Sequence, residues 1–172
     1  VRIALLDGRE LTIRPLDAGD SAALHDFGCA LPDDDWFYLQ NDLRSLETTA
    51  RLVNVRAAEH WRQFVAIDDE GAIVAYTSAR TLPGRSSHVV SIQLIVADGW
   101  RHVGLGTAMA QAIVTAAREL GGQKVTVDMI AEQADGRAIF ERLGFMIEGT
   151  LAGHARGRDG RHYDLIVMAS RI

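Results

Sequence analysis

Arg101, Gly104 and Gly106 stand at a spacing that suits phosphate binding, within Val96-Ala97-Asp98-Gly99-Trp100-Arg101-His102-Val103-Gly104-Leu105-Gly106. The glycines let a ligand approach the backbone, and the arginine adds positive charge. Such a loop binds anions where it runs into the first turn of a helix, because unpaired N–H groups point outward there at the positive end of the helix dipole. The same residues would also make a plain glycine turn ahead of a core helix. A dinucleotide fingerprint would want a third glycine at position 109, which is Met109. Other chemistry is sparse. The one cysteine, Cys29, has no obvious partner base, which argues against a covalent thiol route, and no Cys/His cluster has the spacing of a zinc site.

The loop needs a strand before it and a helix after it, and both are legible. Val89–Val96 is β-branched and apolar with turn residues at both ends. After the loop, Leu105, Ala108, Met109, Ala112, Ile113, Ala116 and Leu120 recur at three- and four-residue spacing, one apolar face of a helix that Gly121-Gly122 ends. Lys124–Ile130 then reads as a strand parallel to 89–96, because a helical crossover returns the chain in the same direction.

The flanks supply the rest of a sheet. Arg2–Leu6 and Leu11–Arg14 read as a hairpin around Asp7-Gly8, ended by Pro15. Asp17 or Asp20 could cap a helix whose apolar side is Ala22, Ala23, Leu24, Phe27 and Leu31, broken at Pro32-Asp33-Asp34-Asp35. An aromatic cluster follows at Trp36-Phe37-Tyr38-Leu39, and Ser45 opens a second helical stretch running to Ala58. These helices fit core packing, or a cover over a cleft. Strands are expected at 63–67 and 72–79, a short helix at 138–143, and final strands at 145–148 and 163–168 flanking a polar loop. The pattern is one α+β domain over 1–172: a mixed sheet with a central parallel βαβ crossover.

Composition bounds the function. With 172 residues, 48% of them hydrophobic and 24% charged, the chain can bury a full core. A net charge of −5 argues against general nucleic-acid binding and agrees with a cationic amine as substrate. No apolar run approaches the ~20 residues that cross a bilayer, and Val1–Gly8 is too short an apolar run for a signal peptide. With the lone Cys29, this leads us to expect a cytoplasmic protein with no membrane partner.

Arg101-x-x-Gly104-x-Gly106 resembles the acyl-CoA pyrophosphate loop of the GNAT acetyltransferase superfamily. The resemblance extends to Leu143-Gly144-Phe145 and to Asp159-Gly160 with Asp164-Leu165-Ile166-Val167-Met168, and covers the chain from Ile13-Arg14-Pro15 to Met168. It implies the mostly antiparallel GNAT sheet and acetyl-CoA as co-substrate. The pyrophosphate would lie on the backbone of Arg101, His102, Val103, Gly104, Leu105 and Gly106, with Thr107 next in the helix. The pantetheine arm would pair with the free strand edge at Leu94, Ile95 and Val96.

The resemblance also suggests who would do the chemistry. Acyl transfer needs a neutral amine, and for a lysine-like group only on the order of one molecule in a thousand is neutral at pH 7, a handicap of about 4 kcal/mol. Asp128 stands where many members carry a glutamate base, and would act through water or with its pKa raised by burial. A carboxylate that anchors the loop or binds a cationic substrate is the competing role. Glu132 and His88 are weaker candidates. Gln133 replaces an asparagine whose amide contacts the cofactor arm, and Phe140 replaces the tyrosine acid that protonates the departing thiolate. Tyr163, His162 or water could stand in, since a thiol of pKa ~8.5 leaves tolerably as thiolate.

The expected activity is transfer of an acetyl group from acetyl-CoA to a primary amine, on a small molecule or a protein lysine, by direct attack in a ternary complex. The alternatives are a non-catalytic acyl-CoA sensor or scaffold of the same fold, and a nucleotide-binding module. A homodimer through the exposed sheet edge is the oligomer such a sheet would allow.

Overall fold

The computed structural model describes residues 1–172, with all eight strands in one sheet of order β1-β2-β3-β4-β5-β6-β8-β7. The strands are β1 (Arg2–Ala4), β2 (Glu10–Pro15), β3 (Trp61–Ile67), β4 (Ile73–Thr81), β5 (Val89–Val96), β6 (Lys124–Ile130), β7 (Met146–Arg156) and β8 (His162–Arg171). The helices are α1 (Ser21–Ala30), α2 (Leu46–Asn54), α3 (Leu105–Glu119) and α4 (Ala134–Arg142). Every neighbouring pair of strands is antiparallel except β5 and β6, which α3 joins in parallel. No helix is long and apolar enough to cross a membrane.

The two faces of β5 explain the layers. Its Val90 and Ile92 pack with Ile113 and Ala117 of α3 and with Phe140 of α4. Ile95, on the opposite face, packs with Leu24 and Phe27 of α1 and Leu52 of α2. That alternation is the period-two geometry of a strand covered on both sides. Leu105, Met109 and Ile113 are fully buried along one stripe of α3, each contributing roughly 1.5–3 kcal/mol through burial.

Several boundaries differ from the sequence expectation. Asp20 precedes α1, but its carboxylate does not cap the helix. It takes two hydrogen bonds from the Arg14 guanidinium at 2.7 and 2.8 Å and one from the Asp17 N–H at 2.7 Å. Helix α2, capped by Ser45 accepting from the Thr48 N–H, stops at Asn54. Helix α4 starts at Ala134, ahead of the expected 138, and runs through Asp135-Gly136. The segment Asp33–Tyr38 is a 3-10 turn rather than a simple break.

The largest difference is β7, eleven residues long where four were expected. Almost all of it is exposed, because it is the last strand of the sheet. An edge strand with two open faces carries no apolar alternation to read. Its polar half pairs with β8 at Ala155–Tyr163 and Arg156–His162.

Candidate active site

Strands β5 and β6 pair only at Val89–Lys124, Val90–Val125 and Ser91–Thr126, and then part. A cavity of about 810 Å³ fills the gap, lined among others by Leu94 and Val96 of β5, Asp128 of β6 and Gln133 beyond it. This is the crevice expected at the carboxyl ends of parallel strands. Its cover is the 3-10 turn between α1 and α2, which contributes Trp36, Phe37 and Tyr38. Helices α1 and α2 themselves belong to the core, so only the turn between them serves as the cover.

Only part of the 94–96 edge is available. Ala97 donates its N–H to Val74 on β4 at 2.9 Å. By the alternation of an antiparallel ladder, Ile95 also turns its backbone toward β4, leaving Leu94 and Val96 turned to the gap. Ile95 therefore does not face the cavity, a correction to the sequence expectation; its side chain is buried against α1 and α2.

The loop before α3 carries a run of unpaired donors. The N–H groups of Trp100, Arg101 and Ala108 have backbone acceptors, whereas those of His102, Val103, Gly104, Leu105, Gly106 and Thr107 have none. Gly104 has φ +90° and His102 φ +61°, so two left-handed residues curl the backbone ahead of the helix. A histidine held there stores local strain, a frequent property of binding loops. The hairpin braces the loop from outside: Leu6 N–H donates to the Val103 carbonyl at 3.0 Å, and Arg9 donates to the Gly99 carbonyl while stacking 3.8 Å over Trp100. Gly106 has a second role, since a Cβ there would come within 2.8 Å of Ile139 on α4. Its lack of a side chain lets α3 and α4 close up.

Arg101 does something other than the sequence suggests. Its guanidinium bonds Asp35 at 2.6 Å, Asp98 at 3.2 Å and the Val96 carbonyl at 3.0 Å, and lies over Tyr38. Two carboxylates thus neutralise the charge expected to meet an anion. What Arg101 does is fasten the cover to the loop.

Gln133 accepts the Ile130 N–H at 2.9 Å through Oε1, while its buried Nε2 has no partner. A buried donor left unmade costs about 1–3 kcal/mol, so this amide is suited to a ligand carbonyl. Asp128 opens into the cavity. Desolvation by the surrounding walls pushes its pKa above the usual carboxylate value, with nearby His154 pulling weakly the other way. Phe140 is buried in the wall against Phe145 at 5.1 Å.

Residues 27–145 match the model of the Acetyltransferase (GNAT) family. The chain belongs to the GNAT family. A mycothiol acetyltransferase of Propionibacterium freudenreichii subsp. shermanii is 31% identical over 124 residues, covering 67% of this chain and 39% of that protein. The present chain therefore spans about two fifths of that relative's length. Among solved structures, a ribosomal-protein-alanine N-acetyltransferase from Brucella melitensis superposes with TM-score 0.81 at 25% identity, covering 94% of this chain and 100% of the other. A phosphinothricin acetyltransferase from Sinorhizobium meliloti, solved in complex with AcCoA, superposes with TM-score 0.79 at 19% identity, covering 94% and 88%.

Within this GNAT fold the remaining candidates separate cleanly. Tyr163 does not line the cavity; its ring packs edge-on against Phe37 at 4.8 Å, so it is a packing residue rather than an acid poised at the gap. Glu132, His162 and His88 also lie off the cavity lining. Cys29 does have a neighbour, His25 one turn earlier with Nε2 3.5 Å from Sγ, but that nitrogen also contacts the Arg44 carbonyl at 3.1 Å. The pair sits on the outside of α1, away from the cavity. Sequence reasoning missed Gln93 and Asp35. A glutamine inside the apolar run Val89–Val96 was the available signal for the first; nothing local marks the second.

Proposed function

We propose that this GNAT protein transfers an acetyl group from acetyl-CoA to a primary amine by direct attack in a ternary complex. The observation that carries the reading is the run of free N–H groups from His102 to Thr107, of which His102, Gly104, Gly106 and Thr107 line the same cavity as Asp128. Those donors suit the pyrophosphate. Leu94 and the N–H of Val96, whose carbonyl Arg101 already takes, suit the amides of the pantetheine arm, and the free Gln133 Nε2 one of its carbonyls. Bound acetyl-CoA supplies an activated thioester carbonyl. The amine nitrogen bonds to the carbonyl carbon, the C–S bond breaks, and the surplus proton passes to Asp128, directly or through one water. The thiolate departs and is protonated from solvent, since Phe140 has no acidic proton to donate. The reaction would belong in the cytoplasm, where a lone thiol such as Cys29 stays reduced.

The names of the relatives support an amine acceptor without choosing one. The test is a panel of amines with acetyl-CoA, read by thiol release, beside melting shifts with acetyl-CoA, NAD and ATP. A ligand at a hundred times its Kd adds about 2.7 kcal/mol of stability. Turnover together with a shift by acetyl-CoA alone is expected. A shift without turnover on any amine would leave an acyl-CoA sensor.

A further inference from the structure

Gln93 is 3% exposed, lines the cavity, and has no hydrogen-bond partner at either Oε1 or Nε2. Its surroundings make that unusual. Gln63, Ser78 and Gln93 stand in direct register across β3, β4 and β5, on the face toward α1 and α2. At the inner end of this row Gln63 has a partner at each polar atom: Nε2 donates to the Leu52 carbonyl at 2.8 Å, and Oε1 accepts from the Tyr76 hydroxyl at 2.7 Å. Only the outer amide, at the gap, is left without partners. Counting two residues beyond the last paired positions, Ser91 and Thr126, brings Gln93 opposite Asp128 across the opening. Val125, Val127 and Met129 of β6 face α3, so Asp128 shares the Gln93 face.

A buried carboxamide is satisfied by a ligand that offers a donor and an acceptor side by side. An α-amine next to an amide carbonyl does so: its N–H can meet Oε1 while its C=O meets Nε2. A lysine ε-amine offers no such neighbouring oxygen. We infer that Gln93 binds the acceptor, and that the acceptor is an α-aminoacyl amide, as at a peptide N-terminus or in a small aminoacyl amide. The inference rests on the acetyltransferase reading and sharpens it. The rest of the site agrees. An α-amine of pKa ~8 is neutral hundreds of times more often at pH 7 than a lysine amine of pKa ~10.4, which suits a short aspartate with no tyrosine beside it.

The experiment measures kcat/KM by thiol release at pH 7, expressed per concentration of neutral amine so that the difference in amine pKa is removed, for L-alaninamide and L-Ala-L-Ala-L-Ala, against propylamine and Nα-acetyl-L-lysine amide. At least a tenfold advantage for one or both α-aminoacyl amides is expected, and the ratio of alaninamide to tripeptide tells a small acceptor from a peptide one. Gln93→Leu should collapse the advantage mainly through the acceptor KM, while the melting shift with acetyl-CoA stays as in the parent. Gln93→Asn, which keeps the amide, should retain part of it and covers the case in which the leucine variant fails to fold. Equal or better use of propylamine or the ε-amine, an advantage that survives Gln93→Leu, or no turnover although acetyl-CoA still shifts melting would each overturn the inference. A protein whose melting acetyl-CoA leaves unmoved sinks the transferase reading itself, and this inference falls with it.

Discussion

The Arg101 guanidinium meets the Asp35 carboxylate at 2.6 Å, tying the loop ahead of α3 to the turn that covers the cavity. Asp35 is buried, and Arg101 is mostly shielded. Arg101 keeps Asp98 and the Val96 carbonyl when Asp35 is removed, whereas removing Arg101 strands the buried Asp35 carboxylate. Arg101→Ala should therefore lower stability by roughly 3 kcal/mol, and a double-mutant cycle with Asp35→Ala should return a coupling of about 1–3 kcal/mol. Denaturant melts of the four proteins check this. Additive effects would mean that the contact does not hold the cover.

Gly104 sits at φ +90°, and a Cβ there would meet only Leu6 at an ordinary 3.5 Å. The cost of Gly104→Ala is therefore conformational, about 1–2 kcal/mol. Acetyl-CoA affinity measured by calorimetry should fall roughly tenfold as the free N–H groups lose their alignment. Val103→Ala acts on a residue expected to contribute through its backbone, and should change affinity by no more than about twofold.

Asp128→Asn should lower kcat by about 10²–10⁴-fold, the usual worth of a positioned base. Asp128 stays open to solvent on β6, but partial desolvation by the cavity walls raises its pKa, and the base acts ionised. The parent rate should therefore rise with pH through a value above the ordinary carboxylate range, and the variant should lose that rise. The stability effect has the opposite sign. A carboxyl whose native pKa lies above its unfolded one favours folding only at low pH, and that contribution disappears as pH rises through the native value. At pH 7 the ionised Asp128 opposes folding, so Asp128→Asn should melt higher than the parent. A variant that melts lower would mean the carboxylate anchors the site.

Asp20 shifts the other way. Hydrogen bonds from Arg14, joined by the Asp17 N–H, hold its pKa below the usual value against some desolvation. Its contribution is present above the unfolded pKa and lost as pH falls through the native one. Asp20→Asn should therefore destabilise by about 2 kcal/mol at pH 7, and the gap to the parent should close in acid below the ordinary carboxylate range. Urea melts at several pH values measure it.

Much of this was legible locally. The apolar periodicity of 105–120 and the short apolar runs at 63–67 and 89–96 depend on neighbours a few residues away, and those elements stand where expected. The edge strand β7 was not legible, because a strand with little to bury shows no pattern. Tyr163 looked like a spare acid only until Phe37, far away in sequence, was seen to take its ring.

From the residues alone came the order of elements, the glycine-bearing turn between β5 and α3, and Asp128 on the neighbouring strand. Turn chemistry and periodicity are short-range properties, written into consecutive residues. Tertiary structure decided which groups are already engaged. Arg101 is neutralised by Asp35 and Asp98, Ile95 is turned away, and Gln93 is left with an empty amide at the gap. Whether a polar group is satisfied depends on what packing brings beside it, and those partners lie far off along the chain.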